Sequence, residues 1–234
     1  MALLLLMPDR DTSELERALL ELDPGLDLRV WPRTGEAGDV TMAVCWNHPP
    51  GALTRFPELG VVASYGAGVD HLFTDPEFPD GVQVVRMVDE DLVRDMAEYV
   101  LGVVVAWRRH LFDAVRDQLE ARWRPRPYRR SATVLVLGLG RLGGAAAARL
   151  TAAGERVIGW SRSAKEIDGV DCRTGAEGLD GALGEADAVV CMLPLTPATE
   201  GILDRRFFAR MREGSLLVNV GRGRHLVEED LLEA

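Results

Sequence analysis

The stretch VLVLGLGRLGGAAAARL, residues 134–150, constrains the fold of this chain more than any other segment. An apolar run typical of a buried strand breaks into glycines and continues as an alanine-rich run typical of a helix. Gly138, Gly140 and Gly143 form the pattern GxGxxG, which indicates a dinucleotide-binding loop when it follows a strand and opens a helix. The first glycine permits a tight turn, the second lets the backbone approach a pyrophosphate, and the third allows close helix–strand packing. The segment predicts a dinucleotide-binding βαβ unit, and a purely structural glycine turn is the alternative.

Length and charge limit the possible partners. A chain of 234 residues suggests one large domain or two modest ones, and a formal net charge of −10 disfavours nucleic acid. The arginine-rich stretch RWRPRPYRR, residues 122–130, is the one segment that could bind a single strand. Pro125 and Pro127 stop the preceding helix, however, which favours a solvated connector between two elements. We therefore expect no nucleic-acid partner.

The cysteines and the opening segment indicate a cytoplasmic protein. Cys45, Cys172 and Cys191 are isolated in the sequence, so it predicts neither a disulfide framework nor a metal site. The opening MALLLLMPD lacks a basic region and its apolar run ends at Pro8, so it predicts a buried strand rather than a targeting signal. No run approaches the roughly 18 apolar residues of a membrane span. We expect no membrane partner.

Strands and helices alternate along most of the chain, which predicts an α/β protein with parallel sheets covered on both faces. Up to about residue 66 we predict strand, helix, strand, strand and strand, with Ser13 capping the first helix. A long helix is predicted from Asp89 to the arginine-rich stretch, with Gly102 as a point where it can bend. We place a domain boundary within it, giving domains 1–101 and 102–234. The final segment from His225 also has helical spacing.

The segment GWSRSAKE, at the end of the strand after the glycine loop, bears on the choice of cofactor. An NAD site usually presents an acidic residue to the ribose 2′-hydroxyl about 20 residues after the glycine motif. Here Ser161, Arg162, Ser163 and Lys165 offer two cations and two hydroxyl groups, which suit a 2′-phosphate. The segment favours NADPH over NADH, with NADH still possible. On the alternative interpretation Arg162 and Lys165 are ordinary solvated loop charges.

Seven segments, in this order, resemble the D-isomer-specific 2-hydroxyacid dehydrogenase family, in particular its NADPH-dependent glyoxylate/hydroxypyruvate reductases. They are CWNHPP, SYGAGVDHL, MAEYVLG, GLGRLG, WSRS, LPLTPATEGIL and NVGRG. The resemblance implies a flavodoxin-like substrate domain followed by a Rossmann NADP-binding domain, with the active site in the cleft between them. It also implies a homodimer formed through the long helix and connector.

The resemblance implies a set of site residues. Backbone N–H groups of Gly66, Ala67 and Gly68 would bind the substrate carboxylate, Trp46 would line the substrate pocket, and Arg222 would be the catalytic arginine. The cofactor would contact Gly138, Gly140, Arg141, Leu142, Gly143, Ser161, Arg162, Ser163, Lys165, Leu193, Pro194, Thr199, Val220 and Gly221, while Asn219 has a structural role. Trp46 has a second interpretation as a core residue, and Arg222 as a surface charge. A cation is nevertheless poorly placed at the start of a helix, which favours an anionic ligand for Arg222.

The proton donor of the family is the main departure. The resemblance implies a histidine oriented by a glutamate, and the family segments EPLP and TPH that carry them are absent from this sequence. His48 and His225 are candidate substitutes without an evident carboxylate partner, and His225 is better explained as a local or capping residue. A truncated form of a longer enzyme and a natural cofactor-binding fragment both fit, and the open-ended last helix favours truncation.

The function we expect is reduction of a small 2-oxo acid, such as glyoxylate or hydroxypyruvate, to the D-2-hydroxy acid by NADPH. The sequence does not identify the oxo acid. One alternative is a non-catalytic NADP-binding module or sensor without the histidine and glutamate pair. Another is a methyltransferase, which also places a glycine loop after its first strand. The cationic WSRS segment, standing where an acidic ribose ligand is expected, argues against a methyltransferase.

Overall fold

The computed structural model describes residues 1–127 and 129–234. Tyr128, within the arginine-rich stretch 122–130, lies outside the described residues. Packing divides the chain into two compact units, Met1–Val88 and Asp89–Ala234. The division falls at the start of the long helix, whereas the sequence predicts a boundary inside that helix.

The first unit is built on a parallel sheet of five strands with the order β2-β1-β3-β4-β5. This is the flavodoxin-like strand order, as expected. The strands are β1 Ala2–Leu6, β2 Leu28–Val30, β3 Val40–Cys45, β4 Val61–Ser64 and β5 Gln83–Arg86, and the helix α1 spans Ser13–Leu22. Ser13 was the wrong choice of cap, because Thr12 occupies the cap position. The hydroxyl of Ser13 instead donates to Asp11, at 2.5 Å.

The long helix is broken in two. Helix α2 spans Glu90–Arg108, helix α3 spans Leu111–Leu119, and His110 between them has a left-handed φ of 58°. The prediction of one helix that bends at Gly102 was therefore wrong, since Gly102 lies inside α2. The carboxylate of Asp89 caps α2 by accepting the N–H of Leu92 at 2.6 Å.

The second unit contains another parallel sheet of five strands, with the order β10-β9-β6-β7-β8. This corresponds to the Rossmann order without its sixth strand. Its strands are β6 Thr133–Leu137, β7 Arg156–Trp160, β8 Val170–Arg173, β9 Ala188–Cys191 and β10 Leu216–Asn219. Its remaining helices are α4 Arg141–Ala152, α5 Gly175–Glu185, α6 Arg205–Phe208 and α7 Glu228–Glu233.

Each sheet has an apolar core on both faces. Along β6, Val134 and Val136 pack into one cluster with helices α2 and α4, while Leu135 and Leu137 pack into a second cluster on the opposite face. Residues that alternate between two buried faces produce a continuous apolar run, which is why the strand before the glycine loop is so clear in the sequence. Among the described residues, no helix is both long enough and apolar enough to span a membrane.

Candidate active site

The glycine loop between β6 and α4 has the shape that a dinucleotide requires. Gly138 has a left-handed φ of 94°, and a Cβ there would lie 2.8 Å from the carbonyl oxygen of Met192. A Cβ on Gly143 would lie 1.8 Å from the carbonyl oxygen of Gly138, so only glycine lets the helix approach the strand this closely. At Gly140 the same added atom would meet nothing within 4 Å, which leaves open space over the loop. The residues present therefore fit a bound pyrophosphate.

The first turn of α4 presents backbone N–H groups at this loop. The first N–H groups of a helix have no carbonyl partner inside it, and no side chain caps α4. The side chain of Arg141 is bonded to Glu90 of α2. Such a terminus attracts anions, through its N–H groups and through the positive end of the helix dipole.

The end of β7 supplies exposed positive charge. Arg162 and Lys165 are exposed, and neither forms an ion pair within the described parts of the chain. Ser163 is also exposed, whereas Ser161 is buried and donates its hydroxyl proton to the carbonyl of Ser163 at 2.7 Å. The proton of Ser161 is therefore already used, and Arg162, Ser163 and Lys165 are the groups left to meet a ligand.

The loops after β9 and β10 are held by their own hydrogen bonds. The hydroxyl of Thr199 donates to the carbonyl of Pro194 at 2.6 Å and accepts the N–H of Thr196 at 2.9 Å, which closes the loop that follows the buried Leu193. The N–H of Val220 donates to the carbonyl of Cys191 at 3.1 Å. The bond from Val220 to Cys191 places the starts of the two loops side by side at one edge of the sheet.

Arg222 is fixed from several sides. The amide of Asn219 donates to the carbonyl of Arg222 at 2.9 Å and accepts the N–H of Gly221 at 3.1 Å. The N–H of Arg222 donates to Nδ1 of His225 at 3.0 Å, and the guanidinium donates to the carbonyl of Gly221 at 3.0 Å. His225 is fully buried, which confirms its interpretation as a local capping residue. The backbone that carries the half-buried Arg222 is thus rigidly held.

In the first unit, the loop after β4 offers two neighbouring backbone donors. The N–H of Gly66 donates a hydrogen bond to the hydroxyl of Ser64 at 3.2 Å. The N–H groups of Ala67 and Gly68 have no acceptor among the described residues. Arg86 donates to the carbonyl of Ala67 at 3.1 Å. Trp46, directly after β3, is half-buried and packs against the edge of an apolar core cluster, and a Cβ on Gly66 would lie 2.8 Å from its ring.

The structure corrects the expectation that His48 lacks a carboxylate partner. Nε2 of His48 lies 3.2 Å from the carboxylate of Asp75, and both side chains are almost completely buried. The same carboxylate accepts the backbone N–H groups of Gly51 and Glu77. Burial lowers the pKa of His48, and the bond to Asp75 opposes this effect in part. His48 and Asp75 therefore form an internal structural contact, and nothing in the sequence pointed to Asp75.

The residues predicted from the sequence collect at the carboxyl edges of the two sheets. The cofactor residues and Arg222 follow β6, β7, β9 and β10, while Trp46 and the loop of Gly66, Ala67 and Gly68 follow β3 and β4. Ligands of open α/β sheets bind at this edge. No cluster of metal-ligating side chains occurs in the portions of the chain that the structure describes.

A family model for the NAD binding domain of D-isomer specific 2-hydroxyacid dehydrogenases matches residues 101–234, which is more than half of the chain. The chain belongs to the D-isomer-specific 2-hydroxyacid dehydrogenase family. It is accordingly an oxidoreductase, and the loop between β6 and α4 lies within the residues that match the family's NAD binding domain.

Relatives within this dehydrogenase family cover nearly the whole chain. Glyoxylate/hydroxypyruvate reductase A of Serratia proteamaculans is 36% identical over 218 residues, which are 90% of this chain and 69% of that protein. The enzyme of the same name from Citrobacter koseri is 33% identical over 97% of this chain and 74% of its own length.

Solved structures of dehydrogenases of this family have the same fold. A family member from Xanthobacter autotrophicus, in complex with NADPH and MES, has a TM-score of 0.95 and 38% identity, and the match covers all of this chain and 76% of that one. An NADPH-dependent glyoxylate/hydroxypyruvate reductase from Sinorhizobium meliloti, in complex with NADP and sulfate, has a TM-score of 0.90 and 36% identity. That match covers 99% of this chain and 76% of the other chain.

Proposed function

We propose that this dehydrogenase reduces a small 2-oxo acid, such as glyoxylate or hydroxypyruvate, to the D-2-hydroxy acid with NADPH. The observation that carries the choice of NADPH is the exposed positive charge of Arg162 and Lys165, which form no ion pair among the described residues. They lie at the end of β7, where a cofactor with a 2′-phosphate would present its extra anion. Relatives named glyoxylate/hydroxypyruvate reductase, and relatives solved with NADPH or NADP, support the same choice.

The second unit would hold the cofactor. The pyrophosphate would lie over Gly140 against the first turn of α4, and the 2′-phosphate would be bound by Arg162, Ser163 and Lys165. Bound NADPH would supply the hydride that reduces the carbonyl carbon of the oxo acid. NADH remains a possible, weaker cofactor, because it would leave the two cations without their anion.

Each compact unit offers its own candidate substrate contacts. The unpaired N–H groups of Ala67 and Gly68 would bind the carboxylate, and Trp46 would line the pocket. The guanidinium of Arg222, on its fixed backbone, would bind the oxo acid and polarise its carbonyl. We accordingly assign substrate binding to the domain before α2 and cofactor binding to the domain that contains β6–β10, with the boundary at or within α2.

The proton that completes the reduction needs a separate donor. His48 is engaged by Asp75 and His225 by the backbone of Arg222, and both are buried, so we assign the role to neither. This burial is also the observation that favours the second candidate function, a non-catalytic NADP-binding module. Both candidate functions require binding of the NADP cofactor, and only the reductase requires turnover of a 2-oxo acid.

We also propose that the protein is a cytoplasmic homodimer. Helix α3 and the turn after it expose Leu111, Phe112, Val115, Leu119 and Trp123, the last of them 92% accessible. A row of exposed apolar side chains on one helix is typical of a surface covered by another chain. The three cysteines are free thiols, which suits a reducing compartment.

The test is NADPH oxidation by the intact protein with glyoxylate and with hydroxypyruvate, repeated with NADH. Turnover with a lower KM for NADPH than for NADH, and D-glycerate as the product from hydroxypyruvate, would support the proposal. NADPH binding without turnover of either acid would favour the non-catalytic module. Failure to bind NADPH at all would refute both.

A further inference from the structure

The hydroxyl of Ser64, the last residue of β4, is completely buried and is bonded to three groups of its own loop. It donates to the carbonyl of Gly68 at 2.6 Å, accepts the N–H of Gly66 at 3.2 Å, and lies 2.9 Å from Nε2 of His71. A hydroxyl has one proton, and here Gly68 receives it. Nε2 of His71 must therefore carry the proton of the third bond. With its proton committed and its oxygen buried, Ser64 is not a nucleophile.

His71 joins this loop to the loop that follows β3. Its Nδ1 accepts the backbone N–H of Asn47 at 3.4 Å, which agrees with a ring protonated at Nε2. Its ring packs against Trp46 with centroids 4.7 Å apart. His71 thus contacts the hydroxyl that closes the carboxylate-binding loop and the aromatic ring assigned to the substrate pocket.

The sheet itself does not require a hydroxyl at position 64. β4 pairs with β3 and β5 through backbone bonds, and its other residues are the apolar Val61, Val62 and Ala63. A buried hydroxyl is unfavourable unless it is paired, and Ser64 is paired to the loop and to His71. Its bonds to the N–H of Gly66 and to the carbonyl of Gly68 hold the backbone before and after the N–H groups of Ala67 and Gly68, which have no acceptor among the described residues.

We propose that Ser64 and His71 are positioning residues, which hold the N–H groups of Ala67 and Gly68 and the ring of Trp46 in the geometry that binds a carboxylate. This inference rests on the proposed function, because it concerns the same loop. It adds two residues that touch no substrate atom and act through the loop and the tryptophan.

The experiment measures binding of oxamate, an unreactive analogue of a 2-oxo acid, to the NADPH-loaded protein, so that it does not depend on turnover. The variants are Ser64→Ala, His71→Leu and His71→Gln, whose amide nitrogen can replace the donor at Nε2. Thr54→Val is the control, because it removes a hydroxyl bonded to a backbone carbonyl elsewhere in the same unit. Calorimetry gives the Kd of oxamate and of NADPH, and amide NMR follows Ala67 and Gly68.

We expect Ser64→Ala and His71→Leu to weaken oxamate binding about tenfold, because each variant loses one neutral hydrogen bond that holds the loop, with an unchanged Kd for NADPH. His71→Gln should recover most of the affinity, and Thr54→Val should match the wild type. Oxamate should shift the amide signals of Ala67 and Gly68 in the wild type much more than in Ser64→Ala.

Equal oxamate affinity in the wild type, Ser64→Ala and His71→Leu would overturn the positioning role and leave the proposed function standing. A parallel loss of NADPH affinity and thermal stability, without rescue by His71→Gln, would also overturn it, since it indicates general destabilisation. Absence of oxamate binding to the wild type would instead refute the proposed use of this loop, and the positioning role with it.

Discussion

The two sheets of this dehydrogenase shape their carboxyl-edge loops by different means. In the second unit the loop after β6 is shaped by missing side chains, since Gly138 and Gly143 have no room for a Cβ. In the first unit the loop after β4 is held by side chains that are present, chiefly Ser64 and His71. A steric requirement for glycine is a property of one position and is visible in the sequence. A hydrogen-bond network depends on residues that only the fold brings together, so the two loops should respond differently to mutation.

The largest effect is expected at Gly143. In Gly143→Ala the new Cβ would lie 1.8 Å from the carbonyl oxygen of Gly138, so α4 must move away from the strand. We expect the free energy of unfolding to fall by about 3 kcal/mol, the upper end for overpacking, and NADPH binding to become undetectable. Chemical denaturation and NADPH fluorescence titration measure the two quantities.

The neighbouring Gly144 provides the matched control. A Cβ there would meet only Cδ1 of Ile167, at 3.6 Å, which is an ordinary contact. Gly144→Ala should therefore keep NADPH binding and leave stability unchanged or slightly raised, because alanine is the better helix former. If Gly143→Ala behaves in the same way as Gly144→Ala, the steric explanation of this loop is wrong.

Arg222 shows that the second unit also depends on a side chain. We expect Arg222→Gln to lower kcat/KM for glyoxylate about 100-fold to 1,000-fold, the range for loss of one group that stabilises charge at the carbonyl oxygen, with an unchanged Kd for NADPH. Steady-state kinetics measures this. Arg224→Gln is the control, since Arg224 is exposed and paired with Glu200 at 2.8 Å. Equal kcat/KM values for the two variants would exclude a special role for Arg222.

A smaller effect is expected at Arg162. Because Arg162 is exposed and has no ion-pair partner among the described residues, Arg162→Gln should not alter stability. It should raise the Kd of NADPH about tenfold through loss of one charge-assisted hydrogen bond, and leave the Kd of NADH unchanged. Titration with each cofactor tests this. An equal change for both cofactors would mean that Arg162 does not contact the 2′-phosphate.

The parts of the fold that the sequence predicted are those set by local pattern. β6 was clear because both of its faces are buried, and the glycine motif because each glycine has its own steric reason. The edge strands β5 and β8 were missed, since the segments QVVR and VDCR are short and partly polar. β5 is largely exposed, and β8 is no more than half-buried. The break at His110 was missed because no glycine or proline marks it.

The candidate site was predicted in the same uneven way. Motifs indicated Trp46, the loop at Gly66 and Arg222, but not the residues that hold them. Ser64 and His71 lie inside the quoted segment SYGAGVDHL, yet their contact depends on how the loop folds back on β4. Asp75 reaches His48 across 27 positions of the chain, and no sequence spacing predicts such a pair.

The smallest effect is expected at His48, which belongs to a second buried hydrogen-bond network of the first unit. Burial lowers the pKa of His48 from its ordinary value of 6.5, so the folded protein favours the neutral ring. The unfolded chain then binds more protons as pH falls below 6.5, and stability contributed by this residue is lost in that range. His48 can gain at most one proton. Its contribution to the free energy of unfolding therefore changes by at most about 1.4 kcal/mol per pH unit.

Denaturation of the wild type and of His48→Gln at a series of pH values isolates this contribution from the other titrating groups. The wild type should lose more stability than His48→Gln between neutral pH and values below 6.5, because glutamine has no proton to gain. Parallel curves would show that the contact with Asp75 cancels the effect of burial. The stability of the folded protein would then not depend on the protonation of His48, and His48 would differ from an ordinary buried imidazole in that respect.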